Sequence, residues 1–164
     1  MREIYRGKRK DNGMWVVGFY FWITIFKDYP LNSIADREAH FIIPLGIDMS
    51  KNKTLGEIQV EVDSKTVGQL IGRNDKKGKK IFEGDIFRWT HEQWSGVYIE
   101  KVEHQKIKLK LIWVEQVSKF MLKVVDDFVI DEFNAWDLRQ IETDKGLEII
   151  GNIHDNPELL ESVI

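Results

Sequence analysis

The sequence predicts a mainly β protein, α+β overall, built of antiparallel sheets or small barrel-like units with one short C-terminal helix. Three observations lead there. Segments 57–63, 107–113 and 119–125 alternate apolar and polar residues at period two, the pattern of half-buried strands. The run MWVVGFYFWITIF, 14–26, is rich in Trp, Phe, Tyr, Val and Ile, which favour pleated backbone. A capped helical pattern stands out only near the C-terminus.

In chain order, 14–26 predicts a buried strand and 39–43 another strand. The polar stretch DMSKNKTLG, 48–56, predicts a loop or subdomain junction. In EIQVEVD, 57–63, Ile58, Val60 and Val62 share one face, with Glu57, Gln59, Glu61 and Asp63 opposite. TVGQLIGRNDKKGKKIFEGDIFRW, 66–89, reads as strand, turn, strand. Gly78 follows Asp75-Lys76-Lys77 and can supply the positive φ of a hairpin loop. Gly84, ahead of Asp85, suggests a bulge or tight bend feeding a strand. Residues 97–103 are a further strand candidate. IKLKLIW, 107–113, sets Ile107, Leu109, Leu111 and Trp113 on one face; KFMLKVV, 119–125, turns Phe120, Leu122 and Val124 inward. Together these two predict a hairpin around Glu115–Ser118. A weaker helix candidate spans 131–141 on Phe133 and Trp136, and 147–150 reads as a strand. The last helix has Asn156 as N-cap, Pro157 at its first position and Glu158 in its first turn.

A length of 164 residues suits one domain, 1–164, with a candidate division into subdomains 1–65 and 66–164 and a junction near 48–70. With 43% apolar residues and only 3 Pro, the chain is neither disordered nor collagen-like. The absence of cysteine excludes disulfides, thiol catalysis and Cys-ligated metal, and fits a reducing cytoplasm. Arg2, Arg6, Lys8, Arg9 and Lys10 ahead of the apolar run imitate a secretory signal, but no small-residue cleavage site follows. The run also falls short of the roughly 20 residues of a membrane span. The expectation is a cytoplasmic protein with no membrane partner.

Charge is uneven. Residues 126–164 carry 2 basic and 11 acidic side chains, whereas 1–125 carry 22 basic and 16 acidic ones. Such a split can pair faces within one molecule, or dock an acidic segment on the lysines of a second copy.

Motifs for chemistry are lacking. Five residues, not four, separate Gly72 from Gly78, and Lys80 stands where a phosphate-binding loop needs Ser or Thr. His40, His91, His104 and His154 show no metal-ligand spacing and read as surface or structural residues. No GxSxG nucleophile motif occurs. Glu83 and Asp85, two apart, would share a strand face and could do acid–base work or hold a cation. The favoured reading is structural: Asp85 after Gly84 bonds turn backbone. Asp126-Asp127 and Asp131-Glu132 read as solvated turn charges. No cofactor, metal or catalytic residue is assigned, and the expectation is a protein that is not an enzyme.

Two basic clusters remain, one with Arg6, Lys8 and Arg9, the other with Lys76, Lys77, Lys79 and Lys80. With aromatic neighbours they could follow a nucleic-acid backbone. A net charge of −3 disfavours a dedicated nucleic-acid binder, so solvated loop lysines are the favoured reading.

Three stretches resemble the YopX family of phage and prophage proteins. RGKRKDNGMWVVG, 6–18, is similar to the family's N-terminal motif. Residues 66–89 carry its GQ..G..D..GK.I.EGDI core, and EIIGNIHDNPELL, 148–160, resembles its C-terminal motif. They stand in family order from end to end of the chain. Ile71, where Thr is common, and Phe87, where an aliphatic residue is usual, are mild departures. The resemblance implies a small phage-encoded cytoplasmic protein of mainly β fold. It implies no activity, so no catalytic residue carries over. The leading expectation is a non-enzymatic accessory or interaction protein that self-associates, its other partner an unidentified phage or host protein. The alternative is a nucleic-acid-binding module using the basic loops.

Overall fold

The computed structural model of the chain describes residues 3–26, 35–48, 53–91, 105–114, 119–124, 135–137 and 146–160. Eleven strands run through the described residues: β1 Tyr5–Lys8, β2 Trp15–Phe26, β3 Ala35–Pro44, β4 Val60–Val62, β5 Gly68–Asn74, β6 Lys80–Phe82, β7 Asp85–His91, β8 Gln105–Val114, β9 Lys119–Val124, β10 Ala135–Asp137 and β11 Leu147–Asn152. One helical turn, α1 Leu55–Ile58, precedes β4. The fold is mainly β, in two sheets. The six-stranded sheet has the order β4-β3-β2-β1-β5-β6, and the five-stranded sheet the order β10-β9-β8-β7-β11. Every defined register, from β1–β2 to β7–β11, is antiparallel.

The chain forms two compact units, Met1–Leu70 and Ile71–Ile164. In the first, β2 and β3 make a long hairpin, with β1 on one flank and β4 on the other. Ala39, Ile42 and Val62 are fully buried there. Gly18 permits the close fit of β2 to β3: a Cβ at this position would lie 1.9 Å from the Ile43 carbonyl oxygen. The expected strand at 14–26 is present as β2, but it is not buried throughout. β1 pairs only as far as Gly18, and β4 reaches only His40 to Ile42 of β3. Beyond them the hairpin continues as a two-stranded ribbon, and Trp22 and Ile23 stand 56% and 43% exposed.

In the second unit, Ile81, Phe87, Leu109, Leu111, Leu122 and Leu147 form the core, with Ile71, Trp89, Phe120 and Ile149 packed against it. The alternation in 107–113 and 119–125 foretold this: Leu109, Leu111 and Leu122 have no exposed surface. The β8–β9 hairpin closes as expected, Val114 opposite Lys119. Its turn at 115–118 lies outside the described residues, as does the strand expected at 97–103.

Three expectations need correction. The strand expected over 57–63 is Val60–Val62 alone. Upstream, the Glu57 carboxylate accepts both the Thr54 N–H and O–H, and Gln59 N–H donates to Leu55 O, so the chain coils once before it extends. Within the helix candidate 131–141, Ala135–Asp137 is strand β10, Trp136 opposite Leu122. Strand pairing there outweighs a weak helical pattern, and the rest of that segment lies outside the described residues. At the C-terminus the expected short helix is present as one 3-10 turn, Pro157–Leu160, with Pro157 first, Glu158 in its first turn and Leu159 N–H on Asn156 O; only the cap differs. The Asn156 side chain turns back instead, its Oδ1 accepting from Asn152 N–H at 3.4 Å.

Gly18→Ala should destabilise the protein by about 1–3 kcal/mol, because backbone must shift to admit the methyl. Gly56→Ala, in α1 with no atom nearer than 3.9 Å to the new Cβ, is the control and should be neutral or stabilising. Urea denaturation measures both.

Candidate functional site

The segment between Arg73 and Asp85, richest in charged and turn residues, carries two buried carboxylates. Asp75 is 2% exposed. Its Oδ1 accepts from Lys77 N–H and Lys79 N–H, both at 2.9 Å, and its Oδ2 from Ile149 N–H at 3.0 Å. The turn is closed by Gly78 N–H on Asp75 O, with Gly78 at φ +77°. Lys76 N–H donates to Leu147 O. The loop therefore covers the outer edge of β11, which would otherwise expose unpaired backbone groups. Burial pushes the Asp75 carboxyl up, but the three amides, and then the Lys79 charge, outweigh it and leave the pKa lowered.

Asp85 is the second, 1% exposed, with Oδ2 accepting from Phe82 N–H at 2.8 Å. This is the turn role expected of it. Gly84 between them takes φ +80°, its N–H on Leu111 O and its carbonyl accepting from Ile153 N–H. An L side chain there would be strained, and its Cβ would press Ile153 at 3.3 Å. Glu83 is half-buried beside it. Among the described residues no three His, Asp or Glu gather as a metal site. His40 receives or donates a 2.7 Å hydrogen bond with the Tyr20 hydroxyl, and His154 N–H donates to Asn152 Oδ1. The side chains of His91 and His104, and the pairs Asp126-Asp127 and Asp131-Glu132, lie outside the described residues.

The seven basic candidates fall in two places. Arg6 and Lys8 lie on β1 and Arg9 directly after it, in the first unit. Arg6 is only 9% exposed, its guanidinium carbon 4.8 Å above the Trp15 ring. Lys8 Nζ stands 5.6 Å from the same ring. Arg9 forks onto Asp11, at 2.9 and 2.6 Å. In the second unit, Glu148 takes both Lys76 Nζ at 2.7 Å and Lys77 Nζ at 2.6 Å. Hydrogen bonds from these two ammonium groups hold the Glu148 carboxyl down to about 2. Lys79 and Lys80 are exposed and form no ion pair among the described residues. Five of the seven cations are thus engaged within the chain by Trp15, Asp11 or Glu148.

Sequence reasoning missed Asp75 as a clamp, reading it as hairpin polarity. The signal was present: a lone Asp four residues before a Lys-Lys pair, with Gly78 between, is an Asx-type turn. What cannot be read from 66–89 is that the third amide comes from Ile149.

No helix among the described residues is long and apolar enough to cross a membrane. A family model described as YopX protein matches residues 4–161. Among solved structures, the crystal structure of protein EF1440 from Enterococcus faecalis is similar at 23% identity, with a TM-score of 0.43, covering 97% of this chain and 98% of that one. No curated protein matches.

Asp75 and Glu148, with Asp11, Glu57 and Glu61, have lowered carboxyl pKa values, which makes stability acid-dependent. A folded-state pKa below the unfolded one means the unfolded chain binds more protons, so stability is present above the unfolded carboxyl range near pH 4 and is lost as pH falls through the folded values. Urea midpoints should drop between about pH 4 and about pH 2, the folded value at Glu148. Asp75→Asn, which sets an amide donor against one of the three N–H groups, should cost about 2 kcal/mol at pH 7 and make that acid dependence shallower.

Proposed function

The chain belongs to the YopX family, and on that premise we propose that it works by binding rather than catalysis, as a cytoplasmic, phage-encoded accessory protein that self-associates. The observation that carries this reading is the ribbon at the far end of β2 and β3. It holds Trp22 and Ile23 in solvent, and Phe21 stacks on Phe41 at 5.5 Å at its base. Exposed aromatic surface of this kind is costly for a monomer and common at interfaces. A two-stranded ribbon is also marginal by itself and gains most from a further strand or cover.

The described acids and bases support the same reading from the other side. Asp75 and Asp85 are spent on backbone amides, which leaves neither free as an acid or base. The basic clusters stay cationic, but five of their seven side chains already have partners: Glu148 and Asp11 take three and the Trp15 face two. Phosphate binding would have to displace those partners. The Glu148 pairs also put part of the acidic segment against lysines of its own chain, so the charge split is used within the molecule at that point.

Sedimentation velocity tests the proposal. Self-association through apolar surface should persist at about 1 M salt, where charge docking is screened to a few ångströms. A strict monomer at about 100 µM, in low and high salt alike, overturns it. In mobility-shift assays no nucleic-acid complex should form at low salt; a complex whose affinity falls steeply with salt would restore the basic-loop alternative.

A further inference from the structure

We propose that the open edge of β2 pairs antiparallel with the same edge of a second copy, on a two-fold axis at Trp22. This rests on the self-association reading above and names its surface. Beyond Gly18, β2 has β3 as its one strand partner among the described residues. The direction of its backbone groups follows from two hydrogen bonds. Leu45 N–H donates to Val17 O, so Val17 and the odd-numbered residues after it face β3. Arg9 N–H donates to Met14 O, so the even-numbered residues face the other side. The N–H and C=O groups of Tyr20, Trp22 and Thr24 therefore point to the open edge.

The two edges of the ribbon differ in chemistry. β3 carries exposed Arg37 and Glu38, charged residues of the kind that keep edge strands apart. From Phe19 to Phe26, β2 has no charged residue. The edge of β11 is covered by the Asp75 loop. Among the described residues, the far half of β2 is thus an edge with neither charge nor strand cover.

A second copy is the occupant that this edge fits. The chain carries a net charge of −3, so two copies repel except where they meet without charge. Antiparallel pairing centred on Trp22 sets Trp22 against its own counterpart and Tyr20 against Thr24, with no like charges opposed. About six backbone hydrogen bonds form, and the two Trp22 rings lie side by side on one face. Strand addition of this kind gives affinity through main chain and specificity through alternate side chains.

Amide exchange followed by NMR at low and high protein concentration tests this on the unaltered chain. Tyr20, Trp22 and Thr24 amides should slow about tenfold or more as concentration rises, while Phe21 and Ile23 stay protected throughout by β3. Trp22→Lys and Trp22→Glu should each be monomeric, and an equimolar mixture should restore the dimer, because the two-fold sets position 22 against itself. If the wild type is a dimer but its even-numbered amides ignore concentration, and Trp22→Lys still dimerises, this edge is the wrong surface and self-association stands. If those amides are slow even in dilute monomer, the edge is covered within the chain and the proposal falls. A wild type that never associates removes both readings.

Discussion

A single carboxylate, Asp75, holds together what the most distinctive stretch of the sequence builds. Three backbone amides converge on it, two from its own turn and one from β11, seventy-four residues away. A charged group at 2% exposure costs several kcal/mol unless its lone pairs are filled, and here three amides fill them. The arrangement works in both directions. The amides stabilise the anion, and the anion gives partners to backbone that no strand reaches. Asp85 repeats the device at the next turn with the Phe82 amide. The two acids stand in the D and EGD of the signature, ten residues apart. Between them Gly78 and Gly84 take the left-handed conformations that let the chain turn twice within so short a span. Both motif acids are committed to backbone amides.

Much of this fold is legible in the sequence because its strands alternate. Leu109, Leu111 and Leu122 are the inward residues that period two predicts, and 147–150 reads correctly as the centre of β11. Legibility fails where local and distant forces compete. The alternation of 57–63 is real, and Ile58 and Val62 are both buried, yet the first half is a helical turn. Glu57 reaching back to Thr54 decides that, and period two cannot register it, since one helical turn also carries Ile58 inward. At 135–137 a short aromatic segment has no strong local preference, so its pairing with β9 sets its conformation. The role of Asp75 was half legible: the turn could be read from Asp75 and Gly78, but its third amide belongs to a strand with no mark in the local sequence.

The cationic clusters take several structural parts. In the sequence, seven basic side chains in two runs could follow a phosphate backbone, with solvated loop lysines the favoured reading. Residue by residue, Arg6 is a packing group: its guanidinium covers the Trp15 face and is nearly out of solvent. Arg9 is a turn brace on Asp11. Lys76 and Lys77 pair with Glu148 from the same loop that Asp75 secures, so charge reinforces the clamp. The lysine run lies on a structural turn, with Lys79 and Lys80 exposed.

Edges give these observations a common logic. A β protein must dispose of every strand whose backbone groups are open, by pairing, by cover or by charge. This chain uses cover at β11, where a loop is held down by a buried acid, and charge at β3, where Arg37 and Glu38 stand exposed on the ribbon. At the far half of β2 the described residues supply neither, and the sequence there is unbroken aromatic and β-branched, the strongest of strand formers. A residue pattern that elsewhere invests a buried carboxylate to close one edge would be inconsistent if it left a second one open by neglect. The proposed second copy answers this: the same strand there carries no charge and has the same length, so its edge is the one that we propose closes β2.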